Sequence, residues 1–238
     1  MESPELSIII PAFMEEKRIG ATLSAYSDFL AAQKIDYELL VIMDGCTDGT
    51  AGIVRGFSEK DGKVRGIEEP RRQGKGAALL KGFSLSKGRF VAFTDADGSI
   101  LPGEVTRLFE MLRKDEACDA VIGSRWLNGN ETLKSQTLSR RIASRGFNRL
   151  TRAVLGLPFS DTQCPAKVFR GDVIRSAARS VGTRGFAIDA ALLYALKRDG
   201  RNVGEEPVAW NDSPGSKLKI RKAAPAMLID LIRIRAGR

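Results

Sequence analysis

Short apolar runs alternate along the chain with longer segments in which apolar residues recur at helical spacing. In the first longer segment, apolar residues three to four positions apart run from Ile19 to Leu30, which predicts an amphipathic helix over about residues 17–33. Further helices are predicted around Ile53–Phe57, over Gly76–Leu85, onward from Pro102, and over 139–156 and 188–198. The apolar runs predict strands at Leu6–Ile10, Tyr37–Met43, Val64–Glu68, Phe90–Phe93, Ala117–Ile122, 167–170 and 203–208. Strands that alternate with helices are typical of βαβ units and of a mostly parallel sheet.

The alternation is regular over residues 1–122 and less regular over 123–238, but no abrupt change of composition separates the two stretches. We therefore expect a single α/β domain over 1–238, with a doubly wound, mostly parallel sheet flanked by helices. Residues 1–122 would form a Rossmann-like nucleotide-binding half, and 123–238 would build the second side of a cleft. Ligands of such sheets bind at the carboxyl ends of the strands.

The chain of 238 residues contains no histidine. This excludes a Ser-His-Asp triad, a Cys-His pair and any histidine-ligated zinc or iron site. Its three cysteines, Cys46, Cys118 and Cys164, are isolated in the sequence, which argues against a disulfide framework and for a reducing compartment. Acid–base or metal chemistry would therefore have to use carboxylates, lysines, arginines and hydroxyls.

The 38 Lys and Arg residues outnumber the 29 Asp and Glu residues, which gives a net charge of +9. A basic chain favours an anionic partner, such as a phosphate-rich ligand, an acidic lipid surface or a nucleic acid, although a merely basic surface has the same composition. No stretch approaches the ~20 apolar residues that span a bilayer, and residues 1–5 do not have the layout of a signal peptide. We therefore expect a cytoplasmic protein, either free or peripheral on the cytosolic face of a membrane.

Three predicted strands run into acidic or turn-forming residues, at 11–15, 44–48 and 95–97. Because the carboxyl ends of parallel strands lie at one edge of a sheet, carboxylates that are distant in the sequence should converge there. Asp95 and Asp97 form an Asp-x-Asp pattern of hard oxygen ligands, which suits Mg²⁺ or Mn²⁺ bound together with substrate phosphates. An isolated Asp-x-Asp is better explained as a helix cap or a turn, so the prediction of a cation site depends on this convergence.

A basic loop that contains glycine, Arg71–Gly76, precedes a predicted helix. Glycine lets a ligand approach the backbone closely and the helix N-terminus adds amide donors, so the loop could hold a phosphate; by itself it could also be a tight basic turn. The spacing is not that of a P-loop, and the first βα turn lacks a G-x-G-x-x-G pattern, which disfavours a nicotinamide cofactor.

Two later segments are rich in basic residues. The stretch 123–152 contains Arg125, Arg140, Arg141, Arg145, Arg149, Arg152 and Lys134, with Glu131 as its one acidic residue. Arginine binds phosphate oxygens bidentately, so this stretch could hold a phosphate, whereas for Arg145, Arg149 and Arg152 we expect a solvated helix face or membrane contact. The segment Met227–Arg238 interleaves apolar residues with arginines, and a core helix is favoured there over an interfacial basic helix.

Ten ordered motifs resemble those of the family-two glycosyltransferases, which have the GT-A fold. The motifs are Ile8–Glu16, Val41–Thr50, Gly74–Gly76, Thr94–Asp97, Gly123–Arg125, Arg140–Ser144, Asp161–Cys164, Phe186–Asp189, Glu206–Trp210 and Gly215–Lys217. Together they resemble the branch that makes polyprenyl-phosphate sugars, and the Asp161–Cys164 run is more similar to its dolichyl-phosphate glucosyltransferases than to its mannose synthases. The chain departs from the family pattern at Phe13 and Met14, where the family usually has Tyr-Asn.

The resemblance implies a set of site residues. The nucleotide base would be bound by Pro11, Ala12, Glu15 and Asp44. Lys75 would lie near the ribose or the phosphates, and Asp95 and Asp97 would hold the ribose, the diphosphate and a Mg²⁺ or Mn²⁺ ion. The acceptor phosphate would be bound by Arg125, Arg140 and Ser144, and Lys217 would close over the donor. The catalytic residues would be Asp97, Arg125, Arg140 and Lys217.

The implied reaction is inverting, metal-dependent transfer of a hexose from a nucleotide sugar (UDP-glucose or GDP-mannose) to a polyprenyl (dolichyl) phosphate at an anionic membrane surface. A phosphate acceptor is already ionised at neutral pH and needs no general base, which agrees with the absence of histidine. A family-two enzyme acting on a hydroxyl acceptor is the alternative, with Asp189 as its candidate base. A nucleic-acid partner is disfavoured, because Trp126 and Phe147 are the only aromatic residues in the stretch 123–152. The oligomeric state stays open.

Overall fold

The computed structural model describes the backbone of residues 3–127, 138–211 and 220–237, and the side chains of residues 3–127, 144–211 and 227–237. In these ranges the strands are β1 (Leu6–Ala12), β2 (Tyr37–Asp44), β3 (Val64–Glu69), β4 (Phe90–Phe93), β5 (Ala120–Ser124), β6 (Lys167–Arg170) and β7 (Val203–Pro207). The helices are α1 (Ile19–Ala32), α2 (Thr50–Lys60), α3 (Lys75–Leu85), α4 (Pro102–Lys114), α5 (Leu138–Leu155), α6 (Gly171–Arg179), α7 (Ile188–Arg198) and α8 (Ile220–Arg235). The predicted strands and helices are confirmed, although β5 begins at Ala120 rather than Ala117. The short helix α6 was not predicted.

The strands form one mixed sheet in the order β3-β2-β1-β4-β6-β5-β7. The pairs β1–β2, β1–β4, β2–β3 and β5–β7 are parallel, so the prediction of a mostly parallel sheet is confirmed. Strand β6 is antiparallel to both neighbours, with Lys167 opposite Phe93 on β4 and Ile122 on β5. Because β6 runs the other way, its first residue lies at the edge where β4 and β5 end. Hydrophobic periodicity carries no information on strand direction, so this reversal was not predicted.

Helices cover both faces of the sheet, which confirms the doubly wound architecture. On β1, Ile8 and Ile10 pack with apolar residues of α1 and α4, whereas Ile9 packs on the opposite face with apolar residues of α3, α6 and α7. A strand that is buried on both faces needs apolar residues in succession, which explains the continuous apolar run in the sequence. The division into a donor half and an acceptor half stays a prediction.

Helix α8 packs against α5 and α7, and Leu231 and Ile234 are buried in this contact. Core packing is therefore confirmed for one face of the helix. The other face carries exposed apolar side chains, namely Leu228, Ile229 and Ile232. Within the described ranges, no helix combines the length and the apolar character needed to cross a membrane.

Candidate functional site

The turns that follow β1, β2 and β4 meet at one edge of the sheet. Arg18, at the start of α1, donates two hydrogen bonds of 2.8 Å to the carboxylate of Glu15 in the turn after β1. A guanidinium nitrogen of Arg18 also lies 3.9 Å from Asp97 Oδ2 in the turn after β4. The Glu15 amide donates to the Thr50 hydroxyl at 2.8 Å, which ties the turn after β1 to the first residue of α2. Charged residues that are distant in the sequence therefore share one cluster, as the strand-end pattern predicts.

Asp44, the last residue of β2, holds the loop that precedes α3. Its carboxylate accepts one hydrogen bond from the Gln73 amide at 2.7 Å and another from the Gly74 amide at 2.8 Å. Gly74 has a φ of 110°, which favours glycine, and a side chain there would collide with a backbone carbonyl. In the same loop the Arg72 guanidinium stacks 3.9 Å from the ring centre of Phe13. Asp44 thereby fixes the start of α3.

The residues predicted to surround a nucleotide base lie at this edge. Pro11 and Ala12 end β1 and pair in register with Ile42 and Met43, directly before Asp44. Their proximity follows from the parallel register of two neighbouring strands that end together. That these residues bind a base stays a prediction.

Lys75, the first residue of α3, connects two acidic side chains. Its ammonium lies 2.9 Å from Asp95 Oδ1 and 3.8 Å from Asp189 Oδ2. Asp189 lies in the first turn of α7, and its other oxygen is 2.6 Å from the ammonium of Lys167. Burial alone would lower the pKa of Lys75, but the charges of Asp95 and Asp189 raise it above its ordinary value, so the ammonium stays charged. We call Lys75, Asp95, Lys167 and Asp189 the lysine–aspartate cluster.

Asp95 and Asp97 have the chemistry of a divalent-cation site. Burial, followed by the charge of Asp95, raises the pKa of the Asp97 carboxyl above its usual value, and a cation would relieve this repulsion. The Ser99 amide donates to Asp97 Oδ1 at 3.0 Å and fixes the turn. Among the described residues no group of three or more Asp, Glu, Cys or His side chains could hold a metal. An ion held by Asp95 and Asp97 would have to take its remaining oxygen ligands from a substrate and water, which suits Mg²⁺ or Mn²⁺. That these two residues hold such an ion stays a prediction.

Arg125, directly after β5, forms an ion pair with the buried carboxylate of Asp161. Its Nε lies 2.6 Å from one carboxylate oxygen and its Nη2 lies 3.0 Å from the other, which is a bidentate arrangement. The guanidinium also lies 5.4 Å from the ring centre of Trp126 and 5.6 Å from that of Trp210. Burial alone would raise the pKa of the Asp161 carboxyl, but Arg125 holds it below its ordinary value. Arg125 thus faces a carboxylate of its own chain, and binding of a phosphate by it stays a prediction.

The remaining predicted acceptor residues lie on or beyond α5. Ser144 is partly buried on this helix, and among the described contacts none joins it to Arg125. Arg140 lies in α5, but its side chain is outside the described residues, as is the whole of Lys217. A cavity of about 360 Å³ beside the helix is lined by Trp126, Arg145, Asn148, Arg149, Arg152 and Ser160. The three arginines predicted as a solvated face or a membrane contact therefore share one opening.

Lys167 was not predicted from the sequence. Its side chain is fully buried, and its ammonium donates to the Cys164 carbonyl at 2.5 Å and to Asp189 at 2.6 Å. The available signal was a lysine inside the apolar run 166–169, since a buried lysine must be paired. The same contacts bear on the alternative reaction, because both oxygens of Asp189, its candidate base, already face ammonium groups.

Sequence comparison identifies the relatives of the chain. A family model described as "Glycosyl transferase family 2" matches residues 7–176. A dolichyl-phosphate beta-glucosyltransferase from Trichomonas vaginalis is 32% identical in an alignment 243 residues long, gaps included, that covers 96% of this chain and 72% of that protein. A dolichyl-phosphate beta-glucosyltransferase from Drosophila melanogaster is also 32% identical, and the match covers 91% of this chain and 70% of that protein.

Structural comparison agrees. The crystal structure of glucosyl-3-phosphoglycerate synthase from Mycobacterium tuberculosis in complex with Mn²⁺ and UDP-glucose matches with a TM-score of 0.74 at 20% sequence identity. The match covers 98% of this chain and 79% of that one, and it confirms the GT-A fold. The family model covers more than half of the chain, and the relative from Trichomonas vaginalis is 32% identical over 96% of it. The chain therefore belongs to glycosyl transferase family 2.

Proposed function

We propose that the protein transfers glucose from UDP-glucose to a polyprenyl phosphate, such as dolichyl phosphate, in an inverting reaction that uses Mg²⁺ or Mn²⁺. The observation that carries the proposal is the charged edge where Asp44, Lys75, Asp95 and Asp97 gather around the ends of parallel strands. The names of the two glucosyltransferase relatives support glucose as the sugar and a lipid phosphate as the acceptor. The UDP-glucose complex of the structural neighbour supports the choice of donor.

On the donor side, the base would be bound by Pro11, Ala12, Glu15 and Asp44. The Asp44 oxygens each accept one loop amide, and a carboxylate oxygen has a second lone pair that can accept an N–H of the base. The charged ammonium of Lys75 would bind a diphosphate oxygen beside Asp95. A divalent cation held by Asp95 and Asp97 would neutralise charge on the departing diphosphate. Lys217 would close over the donor.

On the acceptor side, a phosphate monoester brings its own ionised nucleophile, so the chain needs cations to orient it rather than a base to activate it. Arg125, Arg140 and Ser144 are the proposed phosphate ligands. Arg125 would have to share its guanidinium between Asp161 and the substrate, and an arginine has five N–H donors, more than the two that bond to the Asp161 side chain. The pairing of Asp189 with two lysines argues against a hydroxyl acceptor.

The lipid tail of such an acceptor requires contact with a membrane. Two neighbouring features suit an anionic bilayer on its cytosolic face: the cavity lined by Arg145, Arg149 and Arg152, and the exposed apolar face of α8. Helices α5 and α8 pack on each other, so these features belong to one part of the molecule. Apolar side chains flanked by arginines are typical of helices that lie in a membrane interface.

A donor and acceptor panel tests the proposal. Purified protein is mixed with radiolabelled UDP-glucose or GDP-mannose and a polyprenyl phosphate in detergent, with Mn²⁺, Mg²⁺ or EDTA. We expect label in the lipid from UDP-glucose, no label with EDTA, and a β-linked product by NMR. Label transferred only to sugar or protein hydroxyls would contradict the proposal and favour the hydroxyl-acceptor alternative. Transfer of mannose instead of glucose would keep the acceptor and overturn the donor.

A further inference from the structure

The lysine–aspartate cluster joins two parts of the fold that are distant in the sequence. Lys75 begins α3, and Asp95 follows β4, both at the proposed donor side. Asp189 lies in the first turn of α7, and Lys167 begins the antiparallel strand β6. The ammonium groups of Lys75 and Lys167 lie 5.8 Å and 5.3 Å from the ring centre of Phe93, so both contact the same aromatic side chain.

Burial separates the members of this cluster. The side chain of Lys167 is 0% exposed and that of Asp189 is 3% exposed, whereas those of Lys75 and Asp95 are 15% and 35% exposed. A buried ion pair is weak evidence for stability, because the cost of removing two charges from water offsets their attraction. The Lys167–Asp189 pair therefore points to a role other than stability, and Lys75, 3.8 Å from Asp189, connects the pair to the more exposed Asp95.

Asp189 and Asp95 compete for the ammonium of Lys75. The distances are 2.9 Å to Asp95 and 3.8 Å to Asp189, so Lys75 is held closer to the exposed carboxylate than to the buried one. Lys167, at 2.6 Å, already neutralises Asp189. Without Lys167, the buried carboxylate would have Lys75 as its nearest cation, and attraction in a poorly solvated site is strong. Lys75 would then move inward and away from Asp95.

We propose that Lys167 is a positioning residue for the donor site: by neutralising Asp189, it keeps the ammonium of Lys75 beside Asp95, where a donor phosphate is bound. This inference rests on the proposed function, since it needs a nucleotide diphosphate at Lys75. The side chain of Lys167 is fully buried and bonded to Asp189, which in turn lies 3.8 Å from Lys75, so its effect on the donor would pass through those two side chains.

The test measures UDP affinity by calorimetry, once with EDTA and once with Mn²⁺, well below the unfolding temperature. Lys167→Met should weaken UDP binding at least tenfold. Lys167→Met/Asp189→Asn also removes the carboxylate that attracts Lys75, and it should return the affinity to within about threefold of wild type. This recovery is the signature of competition for Lys75.

A matched control removes a cation from the same strand on the side away from the cluster. The Arg170 guanidinium donates to the carbonyls of Cys118 and Asp115 at 2.8 and 2.9 Å. Arg170→Met should lower the unfolding temperature but leave UDP affinity unchanged. If Lys167→Met does not fold, Lys167→Gln keeps a hydrogen-bond donor for Asp189 without the charge, and the same loss of affinity is expected.

Two results would overturn the inference alone: wild-type UDP affinity in Lys167→Met or Lys167→Gln, or a double variant that binds as weakly as the single one. A wild-type protein that does not bind UDP would overturn the proposed function and this inference together. The wild-type titration therefore separates the two failures.

Discussion

The edge formed by β1, β2 and β4 and the segment that follows β5 hold their charges in different ways. At the edge, Asp44 is fixed by two backbone amides, and Lys75 is held between two carboxylates while it stays partly exposed. After β5, the partly buried Arg125 is bonded to the fully buried Asp161, whereas the arginines of α5 line an open cavity. The charged groups at the edge are thus held in place by contacts within the protein. In the later segment, the guanidinium of Arg125 is bonded to a carboxylate of the same chain, whereas the arginines of α5 line the cavity with exposed side chains. The predictions below test this contrast.

The largest effect is expected at the edge, for Asp97→Asn. The amide keeps an oxygen that can accept the Ser99 amide, so the fold should be retained, while the negative charge for a cation is lost. Loss of that stabilisation should cost about 4 kcal/mol in the transition state, or roughly a thousandfold in kcat/KM. Steady-state assays with Mn²⁺ measure this, and Asp28→Asn on the exposed face of α1 serves as the control. Activity within a few-fold of wild type would remove Asp97 from the mechanism.

For Arg125, in contrast to Asp97, we expect the main effect of a substitution to be a loss of folding stability. Arg125→Met leaves the buried Asp161 without its paired cation, which should cost about 3 kcal/mol of unfolding free energy in urea titrations. Arg149→Met, at the exposed surface of α5, should cost less than about 0.5 kcal/mol. Equal losses for the two variants would contradict the contrast between the ion-paired Arg125 and the exposed arginines of α5.

Arg125→Lys then isolates the proposed phosphate contact. It keeps a charge for Asp161 but not the bidentate geometry, so KM for polyprenyl phosphate should rise while calorimetric donor affinity stays unchanged. A collapse of donor affinity instead would place Arg125 on the donor side.

The same contrast explains what the sequence could predict. The convergence of Asp44 and Asp95 was predictable, because each directly follows an apolar strand and the alternation of strands with helices indicates parallel strands, whose carboxyl ends lie at one edge. Lys75 was placed near them by the family resemblance. Lys167 was not predicted, because it is the first residue of its strand, and the rule that places ligands at one edge of a parallel sheet directs attention to the residues that follow strands. β6 is reversed, and it brings its first residue to that edge. The pairing of Arg125 with Asp161 was equally hidden, since the two are 36 positions apart and charge counts do not reveal partners.

Acid pH should reduce the difference in stability between wild type and Arg125→Met. In wild type the pKa of Asp161 is held below the value of about 3.9 for an unfolded chain, so its contribution is complete above that pH and is lost as pH falls through the folded pKa. In the variant, burial without the paired guanidinium should raise the pKa of the Asp161 carboxyl, so protonation removes the penalty of an unpaired buried charge. Urea titrations between neutral and acid pH should therefore show a difference that is largest near neutrality. A difference independent of pH would mean that Asp161 is not the group responsible.

The smallest effect is expected at the proposed membrane surface, where each exposed cation contributes only weakly to the attraction to anionic lipids. Wild type should cosediment with anionic liposomes at low salt, and Arg149→Gln should weaken binding by about 1 kcal/mol, or roughly fivefold. Arg179→Gln, exposed on α6, is the matched control and should bind as wild type. Removal of α8 would be a poor test, because Leu231 and Ile234 are buried and the truncated chain would lose part of its core.

Ile232→Ser on the exposed face of α8 probes the apolar part of the same surface. High salt should leave the effect of Ile232→Ser on liposome binding unchanged but abolish that of Arg149→Gln, because salt screens charges and does not weaken apolar burial. Equal weakening by Arg149→Gln and Arg179→Gln would show that net charge alone drives binding. A well-folded protein with no binding at low salt would argue against a lipid-phosphate acceptor. The exposed arginines of α5 would then be a solvated face, and the contrast with the preorganised edge would be one between a binding site and an ordinary surface.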